Sequence, residues 1–503
     1  MGGGGSGEPD SASAQRQGYA CGCQKKTEAK ALLNEVERII WECAEGSAEP
    51  IHADRLHRHI IGQLTCLGRH TITGALCSNG RQFDDWSADY RFYSEERFCE
   101  QSIFAHIQDE VVSLLPEDEA LVVAMDDSLI RKRGRKIHGA KYQRDPLSPP
   151  FHTNLVLGQR FVQISAAVPG AAGDAQMVPI DFLHAPMPQK PGKRASWQEW
   201  AEYERARERT NINLYGTERL GALRRSTDKN RHIVVNIDGR FTNSTTISRL
   251  PENTTIIGRV RSDAYLHIPC FERTGKPGRP KSYYQKAPTP QEPLKDDSIP
   301  WTEVQAFAVG QMRTFKIKTI SSLRWKATGR SLPLRLLVIK PVGYRLRKKS
   351  KILQRQPAFL ICSDPDMPVQ RVLQLYLWRW GIEVNFRDEK TLLGLGQAQV
   401  RTEASCQKAP ALAVAAYAIL LVAALKAFGS SYSPITLPNP KWRQHKPKST
   451  PSTAQLLNQL RVDLWASATD LHIFRDFSAT NSPHHKPLKL ISPLKSAAFY
   501  AIQ

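Results

Sequence analysis

The chain has 503 residues, of which 41% are hydrophobic, so it can form two or three domains and is too apolar to be wholly disordered. Its 70 Lys and Arg residues outnumber 48 Asp and Glu residues, and the formal charge of +22 favours a polyanionic partner such as nucleic acid. Nine cysteines without a paired C-x2-C framework argue against a disulfide scaffold and favour reduced thiols in the cytoplasm.

The N-terminal part of the chain is predicted to be flexible and then helical. Residues 1–25 begin with a Gly- and Ser-rich run that is typical of a flexible linker. Residues 26–115 carry helical apolar periodicity and predict a helical domain. Within it, the segment from His70 to Cys77 resembles a short helix of a DNA-binding helical module. We therefore expect this domain to contact DNA.

Two short apolar runs end in acidic residues. The first, L-V-V-A-M-D-D-S, ends with Asp126 and Asp127, and the second, I-V-V-N-I-D-G, ends with Asp238. Apolar runs of this length bounded by turn residues predict buried strands. Because a helical stretch over residues 197–223 separates them, the pattern indicates an α/β sheet.

The composition of the second half of the chain changes twice. Residues 259–357 are rich in Pro, Gly and cations, with alternating strand patterns, and predict a β-rich insertion in a domain that extends over residues 116–428. The uncharged run from Ala409 to Leu425 is short for a bilayer, so we expect a buried helix and no membrane span. Residues 429–503 predict a basic linker and a helical C-terminal tail.

The stretch from Tyr376 to Lys390 places an acid among cations and aromatic residues. At 100° per residue, one helical stripe contains Tyr376, Arg379, Glu383, Arg387 and Lys390. A second, apolar stripe contains Leu375, Trp378, Ile382 and Phe386. A solvated face with Arg–Glu pairs, each contributing roughly 0.2–0.5 kcal/mol, would explain the polar stripe taken alone.

The acids at the ends of the two strands favour a different reading of Glu383. Three carboxylates supplied by two strands and a helix are the hard oxygen ligands that Mg²⁺ prefers. Two such ions about 3.5–4 Å apart can activate an attacking oxygen and stabilise a leaving oxygen in phosphodiester chemistry. The neighbouring cations would then hold the DNA backbone.

The spacing Tyr376-x2-Arg379-x3-Glu383-x6-Lys390 resembles the Y-x2-R-x3-E-x6-K signature of bacterial insertion-sequence DDE transposases, in the insertion-sequence-four-like superfamily. The resemblance covers roughly residues 65 to 465. It implies a ribonuclease-H-like catalytic core with a β-rich insertion, between the helical N-terminal domain and a small helical C-terminal region. It also implies cut-and-paste transposition on double-stranded DNA, with two Mg²⁺ ions (Mn²⁺ as a substitute), a homodimer on paired ends and a bacterial, nucleoid-associated location.

The resemblance also assigns roles to individual residues. Asp126, Asp238 and Glu383 would bind the metal ions, with Asp127 as the alternative first acid. Family members show the acid, one variable residue, then Ser or Thr, which favours Asp126. Tyr376, Arg379 and Lys390 would contact DNA near the scissile phosphate, and the neighbouring cation Arg387 would help to hold the backbone. Two further assignments come from charge and not from the family. The run Arg131, Lys132, Arg133, Arg135 and Lys136 would contact phosphates, with a solvated charge run as the alternative, and Arg279 lies in a Gly-Arg-Pro triplet that resembles a minor-groove AT-hook.

Three functions remain open from the sequence. The first is a transposase that cuts element ends and joins the 3′-hydroxyl to target DNA. The second is a related nuclease without strand transfer. The third is a catalytically retired transposase that binds DNA as a regulator, although no acid of the triad is missing here.

Overall fold

The N-terminal part of the described chain is helical. The computed structural model describes residues 30–45, 49–145, 148–149, 151–152, 154–269, 283–329, 332–347, 350–429 and 451–468. The first five helices are α1 (Ala31–Ala44), α2 (Pro50–Thr65), α3 (Ile72–Ser78), α4 (Ser87–Ser94) and α5 (Glu100–Val112). In α1, Leu32, Val36, Ile39 and Ile40 are buried at the three- and four-residue spacing of one helical face.

A mixed sheet of ten strands lies at the centre of the protein. The strands of the protein in chain order are β1 (Leu121–Arg131), β2 (Lys141–Arg144), β3 (Leu155–Pro169), β4 (Ala175–His184), β5 (Ile233–Ile237), β6 (Thr254–Arg259), β7 (His267–Pro269), β8 (Tyr283–Lys286), β9 (Thr302–Ala308), β10 (Gln311–Leu323), β11 (Leu334–Ile339), β12 (Gly343–Tyr344), β13 (Leu353–Gln354) and β14 (Ala358–Cys362). The order in the large sheet is β2-β3-β1-β5-β6-β14-β11-β10-β9, and β4 pairs with β3.

The central part of this sheet combines two kinds of pairing. Strand β3 is antiparallel to β1 and β4, whereas β5 and β6 run parallel to β1. The crossover from β4 to β5 contains α6 (Trp197–Arg209) and α7 (Ile212–Ser226), and α8 (Ser244–Ser248) joins β5 to β6. This mixed α/β arrangement is consistent with the ribonuclease-H-like core implied by the sequence.

The region 259–357 is β-rich, and part of it extends the large sheet. Strands β9, β10 and β11 continue the sheet beyond β14, so this part shares the hydrogen-bonded framework of the core. The pairs β7–β8 and β12–β13 form separate two-stranded sheets.

Four helices complete the described chain: α9 (Val369–Trp378), α10 (Trp380–Thr391), α11 (Glu403–Phe428) and α12 (Thr453–Ala468). Among the described residues, α11 is the one helix long and apolar enough to cross a membrane, but 83% of its apolar window is buried inside the protein. It packs against α1, α5 and β4. The prediction of a buried helix over residues 409–425 is therefore confirmed.

The signature segment differs from the single helix that its periodicity predicts. A turn at Arg379 separates α9 from α10, because its N–H donates to the carbonyl of Tyr376 and its carbonyl accepts from the N–H of Ile382. Both helices still turn the predicted apolar stripe towards the core, since Leu375 and Ile382 are completely buried and Trp378 and Phe386 are partly buried against it. The turn leaves Arg379 next to the first turn of α10.

Candidate active site

Two acids lie side by side at one edge of the sheet. Asp126 is in β1 and Asp238 directly follows β5. The strands are parallel with Met125 opposite Ile237, so the next residue on each strand is one of the two acids. Neighbouring strands lie about 4.8 Å apart, which places the two carboxyl groups close together.

The third acid reaches this edge from α10 through a shared arginine. Nη2 of Arg379 lies 2.9 Å from Oε1 of Glu383, and its Nη1 lies 3.3 Å from Oδ2 of Asp126. The Arg379 side chain is only 12% exposed. Asp126 and Glu383 therefore share one largely buried guanidinium, and Asp238 lies beside Asp126 on the neighbouring strand. These three acids are called the acidic triad below.

The carboxyl group of Asp126 has an unusual environment. Burial, and then the charge of Asp238, raise its pKa to about 7, although the charge of Arg379 acts in the opposite direction. Two carboxylates held close together in a poorly hydrated place favour the binding of an additional cation. The geometry therefore suits a cation-binding site.

The adjacent Asp127 has a different partner. Nη1 of Arg240 lies 2.9 and 2.8 Å from its two carboxylate oxygens. Burial raises the pKa of Asp127, and the charges of Arg240 and Arg160 lower it. Oδ1 of Asp238 in turn accepts the N–H of Arg240 at 2.9 Å. Arg240 thus links the loop that carries Asp238 to β1. The carboxylate of Asp127 is occupied by this ion pair.

A buried polar network supports α10 from the sheet. Nε2 of Gln163, which lies opposite Asp126 in β3, donates to Oε1 of Glu389 at 2.9 Å. Glu389 is completely buried, and burial raises its pKa to about 8. Oγ of Ser165 accepts from Gln163 at 3.2 Å and from Asn385 at 3.1 Å.

Sequence reasoning missed both Arg240 and Glu389. The available signals were an arginine two residues after Asp238 and an acid immediately before Lys390.

Tyr376 and Lys390 lie near the acids at this edge, since the charge of Asp238 acts on Tyr376 and that of Asp127 acts on Lys390, whereas Arg387 points to a different partner. The Arg379 guanidinium lies 5.7 Å from the ring centre of Tyr376, and burial raises the pKa of the Tyr376 hydroxyl. Lys390 is half-buried, and burial lowers its pKa. Arg387 is 64% exposed and pairs with Asp388 at 2.8 Å.

The basic run after β1 is only partly available to a ligand. Arg131 pairs with Asp145 at 2.8 Å, and Nζ of Lys132 turns inward to the carbonyl of Gly396 at 3.0 Å. Arg131 is exposed although paired, and Arg133, Arg135 and Lys136 are exposed as well. Arg279 lies outside the described residues.

A second group of acids lies in the helical N-terminal region. Oε2 of Glu42 is 3.2 Å from Nε2 of His106, close to Glu110. Nη1 of Arg38 lies 2.9 Å from Oε1 of Glu110, whose other oxygen pairs with Lys426. Burial would raise the pKa of Glu110, but the bonds from Arg38 and Lys426 hold it at about 2. This group is an ion-pair network that joins α1, α5 and α11.

Comparison with known protein families shows the family of this chain. The model of the DDE superfamily endonucleases matches residues 51–328, more than half of the sequence. The chain belongs to the DDE superfamily endonucleases. No curated protein matches it.

The match covers Asp126 and Asp238 of this DDE superfamily endonuclease, whereas Glu383 lies beyond it. Family membership supports nuclease- or transposase-type activity on DNA, and the position of Glu383 rests on the geometry described above.

Proposed function

We propose that this DDE superfamily endonuclease is a DNA transposase that cleaves the ends of its element and joins the 3′-hydroxyl groups to target DNA. The observation that supports the proposal is the convergence of the acidic triad. Asp126 and Asp238 come from adjacent parallel strands, and Glu383 is linked to Asp126 through Arg379. Three such acids in this chain order are also what the signature resemblance implies.

The acidic triad is suited to Mg²⁺. Its donors are hard carboxylate oxygens, and the Arg379 guanidinium between Asp126 and Glu383 shows that a cationic group fits among them. Asp126, Asp238 and Glu383 would hold two ions, with Mn²⁺ as a substitute. When bound, the ions activate the attacking oxygen and stabilise the leaving oxygen of the phosphodiester.

The other residues of the site hold and orient the DNA. Tyr376, Arg379 and Lys390 flank the triad, and the exposed Arg133 and Arg135 follow β1 beyond the same edge of the sheet. Their charges would hold the backbone so that the scissile phosphate faces the carboxylates. Joining two ends to one target requires two such sites, so we propose a homodimer on paired ends in the bacterial nucleoid.

The proposal is tested with duplexes that carry candidate element ends. Labelled DNA is incubated with protein and Mg²⁺, and nicks and joined products are mapped to the base. We expect Asp126→Asn, Asp238→Asn and Glu383→Gln to reduce cleavage to background while binding is retained. The amide keeps the shape of the side chain and loses the charge that a hard cation needs.

Asp127→Asn is the matched control, because Asp127 pairs with Arg240 and not with the other acids, so at saturating Mg²⁺ it should retain far more cleavage than Asp126→Asn. Near-normal cutting by Glu383→Gln would overturn the assignment of the triad. Nicks without any joined product would support a nuclease without strand transfer and contradict the proposed transposase.

A further inference from the structure

The connection between β11 and β14 leaves the sheet at the same edge as the acidic triad. Ile339, the last residue of β11, pairs with Ala358, the first residue of β14. Strand β14 is antiparallel to β6, with Leu360 opposite Arg259 at the end of β6. Strand β6 runs parallel to β5, which ends next to Asp238. The root of residues 340–357 is thus two strand spacings, roughly 10 Å, from β5.

This connection forms a hairpin of its own. Strands β12 and β13 pair only with each other, with Gly343 opposite Gln354 and Tyr344 opposite Leu353. Beyond them, Nη1 of Arg345 donates to the carbonyl of Ser350 at 3.0 Å. Two-stranded hairpins are at best marginally stable alone, so a binding partner would add order.

The hairpin carries unbalanced positive charge. Residues 340–357 contain seven Lys and Arg residues and no Asp or Glu. Arg345, Arg347, Lys351 and Arg355 are exposed. Within the described part of the chain, no carboxylate lies within ion-pair distance of these four, whereas Arg131 near the triad is paired with Asp145. Arg355 lies over the ring of Tyr344, 5.2 Å from its centre.

We propose that β12 and β13, together with the exposed Arg345, Arg347, Lys351 and Arg355, form an arm that binds the phosphate backbone of duplex DNA beside the scissile phosphate. The inference rests on the DNA cleavage proposed above and adds a contact surface outside the signature residues. A two-stranded ribbon has the size of the major groove, and Lys and Arg along it can reach phosphates on either side.

The test compares two variants of the full chain that lose the same charge. The arm variant carries Arg345→Gln, Arg347→Gln and Lys351→Gln. The control variant carries Arg225→Gln, Lys229→Gln and Arg249→Gln, which replace exposed cations just before β5 and β6, at the opposite edge of the sheet. Binding of a fluorescein-labelled duplex is measured by anisotropy between about 50 and 200 mM salt.

We expect the arm variant to reduce the slope of log K against log salt by about 2–3, since each lost phosphate contact removes about 0.9. The control should keep the slope of the unmodified protein, and all three proteins should melt alike. The proposed arm would be contradicted if the arm variant and the unmodified protein had equal slopes. It would also be contradicted if the slope of the control variant fell as much as that of the arm variant.

These binding readouts do not depend on cleavage. If the unmodified protein fails to nick DNA while the slopes differ as expected, the arm stands and the proposed transposase fails. If nicking is present and the slopes are equal, the transposase stands and the arm is rejected.

Discussion

Removing the arginine between the acids should destabilise the metal-free protein. In Arg379→Gln, Asp126 and Glu383 lose the charge that lies 3.3 and 2.9 Å away. Coulomb's law gives roughly 5 kcal/mol for unit charges at such distances with an effective dielectric constant of about 20. Glu383 is 35% exposed, so solvent screens part of its pair. Removing one partner of a buried pair costs about 3–5 kcal/mol, and we expect about 3 kcal/mol here.

The assay is thermal unfolding at pH 8 in EDTA and in Mg²⁺. An unfolding entropy of about 2.1 cal/mol/K per residue makes 1 kcal/mol worth about 1 °C in a chain of this length, so the melting temperature should fall by about 3 °C in EDTA. Mg²⁺ should stabilise Arg379→Gln more than the unmodified protein, because a bound ion replaces the missing positive charge and no longer competes with the guanidinium.

A second arginine serves as the control. Arg371 pairs with Glu119, and its side chain is 41% exposed. Arg371→Gln should cost less than about 1 kcal/mol and show no added response to Mg²⁺. Two results would contradict this reasoning: the same melting temperature for Arg379→Gln and the unmodified protein in EDTA, or an equal rise in melting temperature for both in Mg²⁺. Either would show that the guanidinium does not balance the charge of the triad.

Three further predictions concern other parts of the site. Arg240→Gln should raise the Mg²⁺ concentration needed for nicking, because the loop carrying Asp238 loses its tie to Asp127; an unchanged Mg²⁺ titration would contradict this. The pKa of Glu389 is about 8 in the folded protein, above its ordinary value of about 4.3. Between these pH values the unfolded chain is ionised and the folded chain is not, so the free energy of unfolding falls as pH rises from 4 to 8. Glu389→Gln should therefore melt above the unmodified protein at pH 8 and lose this advantage near pH 4, and a constant difference across that range would argue against it. Sedimentation of the complex with element ends should show two subunits with two ends, whereas a complex of one subunit with a single end that still completes joining would rule out the dimer.

The elements that carry the first two acids could be predicted from local sequence. The runs L-V-V-A-M and I-V-V-N-I are almost entirely apolar because both strands lie in the middle of the sheet, and each run is followed directly by an acid of the candidate site, Asp126 or Asp238. The buried helix α11 was predictable for the same reason, since nothing charged interrupts it between residues 409 and 425.

Contacts between distant residues were beyond local patterns. Asp127 and Arg240 are 113 residues apart, so only the parallel register of β1 and β5 brings them together. Periodicity placed Arg379 and Glu383 on one helical stripe, but the link from Arg379 to Asp126 depends on how α10 packs against the sheet. In the same way, the pairing of β11 with β14 decides that strands of the region 259–357 extend the core sheet.

The position of α11 also affects how the protein is made. The ribosome synthesises α1 and α5 first, yet the apolar surface that covers them belongs to a helix that begins at Glu403. Lys408 and Lys426 of α11 also pair with Glu96 and Glu110 of the N-terminal region. Helices α1 and α5 therefore cannot bury their apolar faces until α11 has been synthesised. These faces must be protected from aggregation for most of translation. We expect a chain interrupted before residue 403 to aggregate or be degraded, so that it does not persist as a DNA-binding fragment that blocks element ends.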